Sequence, residues 1–69
     1  MVYDYIAWKE EGVWTASCPG VAGVYGLGDT KALAVSDLRD ALEELADYLE
    51  EIGERLPRGR RVNVGELRI

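Results

Sequence analysis

Residues 28–53 read GDTKALAVSDLRDALEELADYLEEIG, and this stretch decides the fold. Val35, Leu38, Leu42, Leu45, Leu49 and Ile52 recur at steps of 3, 4, 3, 4 and 3. That is the period of one helix face, and Ala34, Ala41 and Tyr48 widen it. Asp29 or Thr30 supplies the N-cap, and Asp29 suits the positive end of the helix dipole. Leu33 stands where a Glu or Gln would close a capping box. Gly53 ends the helix, with Pro57 beyond it. The pattern predicts a helix over 30–52, about 22 residues and about 33 Å long. A five- or six-residue strand spans only about 17–20 Å. The helix should therefore overhang its sheet and leave Leu45, Leu49 and Ile52 in need of cover. Its heptad run is too short for a free-standing coiled coil.

Upstream, Tyr3 to Lys9 is rich in β-favouring residues and Glu10-Glu11-Gly12 reads as a turn. Val13 to Cys18 is a second strand. A three-residue loop closed by Gly12 sets Lys9 against Val13, Trp8 against Trp14 and Ile6 against Ala16. One face then carries Ile6, Trp8, Trp14, Ala16 and Cys18, the expected core. The other carries Tyr3, Tyr5, Ala7, Val13 and Thr15. That second face is not polar, whereas an antiparallel sheet wetted on one side alternates apolar with polar. One helix covers one side, so the second face is expected to be a partner site.

Pro19 to Gly23 is a loop and Val24 to Gly28 a short third strand. The glycines at 20, 23, 26 and 28 do not match a phosphate loop, and Asp29 sits where an anion would bind. They read instead as turns and a close strand–helix join. Arg61 to Ile69 reads as a last strand, with Gly65 as a bulge between Val64 and Leu67. The expected class is α+β: strands near 2–9, 13–18, 24–28 and 61–67, in one domain spanning 1–69, with one helix on one face.

Composition limits function. The chain has 69 residues, one cysteine and no histidine. Histidine acid–base sites, His-ligated metals and an internal disulfide are thereby excluded. Eight basic against thirteen acidic residues give a net charge of −5, which disfavours direct nucleic-acid or anionic-membrane binding. The longest charge-free stretch, Gly12 to Gly28, is broken by Pro19 and holds five glycines, so it is no membrane span. Met1-Val2-Tyr3-Asp4 lacks the basic start of a signal peptide, and a cytoplasmic location is expected. Six arginines against two lysines, with one asparagine and no glutamine, fit a thermophilic source; a GC-rich genome gives the same bias.

No constellation for catalysis is found, and neither cofactor nor metal is expected. Asp4 and Glu66 lie on strand-like segments and Asp29 at the helix start; three carboxylates hold metals only where they converge. Cys18 is expected to be a buried, inert thiol. The helix carries Asp37, Asp40, Glu43, Glu44, Asp47, Glu50, Glu51 and, just past its end, Glu54, against one Arg39. This is a solvated face or a surface for a basic partner. Arg55, Arg58, Arg60 and Arg61 follow, placed to answer those acids. A small domain without disulfides often completes its core by oligomerising. A homo-oligomer, dimer or tetramer, is therefore expected, with Tyr3, Tyr5, Ala7, Val13, Leu49 and Ile52 at its interface.

Taken in order, Glu11-Gly12, Trp14, Ala16, Pro19, Gly23, Gly28-Asp29-Thr30, the amphipathic helix, Gly53 and Leu56-Pro57 resemble the HicB antitoxin family. The likeness covers residues 1 to about 64. It departs from the family at Gly20 and Ala22, where an Asp and a second Pro are usual, and at Lys31-Ala32, where acids are usual. The resemblance implies a β-β-β-α-β, partial ribonuclease-H-like layer without nuclease activity. It also implies a toxin–antitoxin system in which the domain covers a small basic ribonuclease toxin. Family antitoxins usually add a C-terminal DNA-binding domain, absent from these 69 residues, so operator binding is not implied. The alternative is a self-assembling structural domain.

Overall fold

The computed structural model describes residues 2–69; Met1, where the expected domain begins, lies outside them. The element order is β1 (Val2–Glu10), β2 (Val13–Ser17), β3 (Tyr25–Gly28), α1 (Lys31–Glu51) and β4 (Gly65–Arg68). The four strands form one antiparallel sheet in the order β3-β2-β1-β4. The expected α+β class and β-β-β-α-β order are what the chain adopts.

The helix forms where its stripe and caps place it. Thr30 is the N-cap, and its Oγ1 accepts from the Leu33 N–H at 3.2 Å. At the other end Gly53 takes φ 79°. The Glu54 N–H donates to Leu49 O at 2.7 Å and the Gly53 N–H to Glu50 O at 3.1 Å. These two bonds make a Schellman motif, which glycine accommodates without a Cβ clash. Ala34, Leu38 and Leu42 are fully buried, while Leu45 and Leu49 are half-buried and Ile52 is exposed. The last turns of the helix lie beyond its buried stripe, and Leu56 of the returning segment packs against the core.

The hairpin register differs from the expected one by one residue. The loop is Glu11-Gly12 alone, with φ 50° and 81°. Two successive positive φ values make a type I′ turn, whose twist suits the flanking strands. Glu10 therefore pairs with Val13, Lys9 with Trp14, Trp8 with Thr15, Ala7 with Ala16 and Ile6 with Ser17. A slip of one residue turns every side chain of a strand to the opposite face. The β1 half of the expected core is thus inverted: Tyr3, Tyr5 and Ala7 join Trp14, Ala16 and Cys18 on the helix side. Ile6 and Trp8 lie on the far side, and the two tryptophans do not face each other.

The helix lies closest to β3 and β2 and farther from β1. Gly26 and Gly28, opposite Ala16 and Trp14, permit this approach. A Cβ on Gly26 would collide with the backbone of Ala34 and Leu38.

The last strand is shorter than expected. It starts at Gly65, in regular pairing with Tyr5, so Gly65 is not a bulge. Its missing side chain makes room for the Tyr5 ring, which a Cβ there would strike. Residues 61–64 turn instead of pairing, because the Asp4 carboxylate takes the N–H groups of Val62 and Asn63. Asn63 sits at φ 58°, a conformation asparagine tolerates better than most residues.

Candidate interaction surfaces

Among the described residues Asp4 is the one buried charge, 1% exposed. Its Oδ2 accepts from the Val62 N–H at 2.6 Å and the Asn63 N–H at 2.8 Å. Its Oδ1 lies 3.0 Å from the Arg61 Nε, a charge pairing without hydrogen-bond alignment. Arg61 also holds Glu66 Oε2 at 2.7 Å. Asp4 and Glu66 stand directly opposite across β1 and β4, where like charges repel; Arg61 bridges them. Asp29 follows β3, at the other edge of the sheet. The three carboxylates do not converge. Among the described residues no group of His, Cys, Asp and Glu is placed to hold a metal ion.

The Asn63 and then the Val62 N–H hold the Asp4 carboxyl below the ordinary aspartate range, with Arg61 adding, against burial that pushes it up. An unfolded aspartate titrates near about 3.9. The stability contributed by a lowered group is complete above that value and is lost as pH falls through the folded one. Urea midpoints measured between pH 6 and pH 2 should therefore drop below about pH 4. Asp4→Asn should be less stable at pH 6 and show a shallower acid slope. An equal slope in both proteins would remove Asp4 as the cause.

Cys18 is buried on the helix side. Burial pushes its thiol up, and the charge of Asp4 adds to this. Tyr3 is also raised, by burial and then by Cys18. Its hydroxyl donates to Pro57 O at 2.9 Å, tying the C-terminal segment to the sheet.

Three surfaces remain. The first is the outer face of α1. Asp40, Glu44, Asp47 and Glu51, at i, i+4, i+7 and i+11, form one exposed stripe. Arg39 answers it only with a contact to Glu43 at 3.9 Å. The arginine cluster does not neutralise it. Arg61 is engaged by Asp4 and Glu66, and among the described residues Arg55, Arg58 and Arg60 pair with none of the helix acids.

The second is the sheet face away from the helix. It carries Ile6 and Trp8 of β1, Val13 and Thr15 of β2, and Tyr25 and Leu27 of β3. The third is a groove of about 530 Å³ beside the helix, floored by Tyr5 and Leu67, walled by Val35 and flanked by Lys31 and Arg39.

The residues expected at an interface are dispersed over the molecule. Tyr3 is 1% exposed, buried by its own chain. Tyr5 lines the groove and Ala7 packs on the core. Leu49 is half-buried near the end of the helix and Ile52 is exposed there. Of the six, Val13 alone lies on the uncovered sheet face. The register slip is the reason. Tyr25 and Leu27, which flank Gly26, were not singled out from the sequence. The alternation Tyr-Gly-Leu-Gly is the signal: small residues toward the helix, large ones away from it.

No protein-family model, curated protein or solved structure matches the chain. No helix among the described residues is long and apolar enough to cross a membrane.

Proposed function

We propose that the domain is a non-enzymatic, HicB-like antitoxin-type module that binds and neutralises a small basic ribonuclease toxin. The observation that carries this reading is the acidic stripe on α1. The stripe works against the helix that bears it. Glu50 and Glu51 crowd the negative end of the dipole, and no basic residue sits in the last turn. Asp40 with Glu44, Glu43 with Asp47, and Asp47 with Glu51 are like-charge pairs at i, i+4. Each such pair costs a few tenths of a kcal/mol. A face kept at a local cost fits a basic partner, for which it supplies steering and complementarity. The cytoplasm is the compartment this reading implies, since the toxin's RNA targets are there.

The test looks for a reading frame of about 60–90 residues encoding a small basic protein beside this gene and assays its product for RNA cleavage. The chain should suppress cleavage, and suppression should weaken as salt is raised. Replacing Asp40, Glu44, Asp47 and Glu51 together by Lys should reduce affinity at least a hundredfold. The same variant should melt close to the native chain: the four positions still repel one another, while the new positive charges face Glu43, Glu50 and the negative end of the helix dipole. Suppression by the Lys variant equal to that of the native chain, or no suppression by the native chain, would refute the reading.

A further inference from the structure

We propose that two copies of this chain pack their uncovered sheet faces against each other in a twofold dimer, with both acidic helices on the outside. The inference stands independently of the antitoxin reading.

The face itself is the first observation. Among the described residues, Tyr25 and Leu27 are each 58% exposed and Val13 is 43% exposed, although all three point from strands. With Ile6 and Trp8 they cover three adjacent strands. Side chains on such a face interdigitate with those of a second sheet about 10 Å away.

Charge selects the occupant. The acids of a chain with net charge −5 are concentrated on α1, so most contacts between copies would set like charges together. The uncovered sheet face avoids this. Glu10 alone among its β1, β2 and β3 residues is charged apart from Asp4, and Asp4 is buried and paired with Arg61. Stacking sheet on sheet places the two helices roughly 30 Å apart, three layers of about 10 Å. That separation is several Debye lengths at physiological salt.

Area agrees. The chain exposes 4857 Å², whereas a compact protein of this mass exposes about 4300 Å². A surplus of roughly 550 Å² per copy makes about 1100 Å² for a pair, which clears the minimum of about 1000 Å² for a specific interface and falls short of the standard size of about 1600 Å². One competing mode, edge-to-edge pairing through β3, is blocked at its centre. There the Leu27 N–H donates to Asp37 Oδ2 at 2.9 Å, within the same chain.

Sedimentation equilibrium from one to two hundred micromolar tests the proposal. The native chain should reach a dimer mass by tens of micromolar. Leu27→Lys should raise the dissociation constant at least tenfold, although it lowers the net negative charge and so reduces general repulsion. Leu33→Lys makes the same change at an equally exposed position on the helix and should leave the constant within twofold. Circular dichroism confirms that both variants fold. The four-lysine variant of the helix stripe should also dimerise, which separates this result from that of toxin binding. A native chain that stays monomeric overturns the proposal and leaves the face to a different protein. So does an equal effect of the two lysines.

Discussion

Gly26→Ala should cost the fold about 3 kcal/mol or more, the upper part of the overpacking range. The added methyl would overlap Ala34 O and Leu38 N and come within 2.8 Å of Leu38 Cα. All three are backbone atoms of α1, so no side-chain rotation relieves the clash. The helix must lift from β3, and lifting it loosens Leu38 and Leu42 as well. A chain of this size is stable by only about 3–10 kcal/mol. The expected result is a urea midpoint lowered by a third or more, or a chain largely unfolded at 37 °C. Gly12→Ala is the control. Nothing lies within 4 Å of its Cβ position, so only the φ of 81° is strained, worth about 1–2 kcal/mol. If the two substitutions cost the same, the close strand–helix contact is not what fixes residue 26.

The features legible in the sequence are those with local causes. The helix was readable because its stripe, Thr30 and Gly53 lie within one stretch, and each acts on its neighbours. The order of strands followed from turn residues in the same way. The hairpin register was not readable, because it depends on one residue out of character. Glu11 adopts φ 50° in a turn position that Asn or Asp usually fills. Reading Glu10 into the loop was the ordinary choice, and it moved Tyr3, Tyr5, Ile6, Ala7 and Trp8 to the wrong faces. The start of β4 was hidden for another reason. Val62 and Val64 alternate like strand residues, but the N–H groups of Val62 and Asn63 are claimed by Asp4, more than fifty residues earlier. No local pattern encodes that pairing. The clue was Asp4 itself, a carboxylate amid apolar strand residues, which needs donors once it is buried.

The uncovered face was inferred correctly in kind and wrongly in membership, and physics separates the two. That one helix covers one face of a sheet holds in any register. Which side chains lie on the other face changes with a shift of one residue. Tyr3 illustrates the consequence. As an interface residue it would stay partly wet in the free chain, yet it is sealed under Gly59, whose Cβ position is 2.7 Å from the Tyr3 ring. Substituting Tyr3 would therefore report on folding, whereas Leu27 reports on association.

Leu42→Ala should destabilise the chain by about 2–5 kcal/mol, the usual cost of emptying a buried leucine site. Leu42 is fully buried and sits midway along the stripe, between Leu38 and the half-buried Leu45. The core it joins includes Tyr3, Ala16 and Leu67, on strands fixed by their ladders, and Cys18 just past the end of β2. Those neighbours cannot collapse freely, so the upper half of the range is expected. The loss would take up a third or more of the total stability, and it should appear as a lower urea midpoint with an unchanged slope. A graded series along the helix tests the geometry. Leu45→Ala should cost less, because its site is already half open. Ile52→Ala, at 52% exposed, should stay within about 0.5 kcal/mol as surface changes do. If Leu42→Ala cost under 1 kcal/mol while Ile52→Ala cost more, the C-terminal end of the helix, and not its middle, would be the part that holds the sheet.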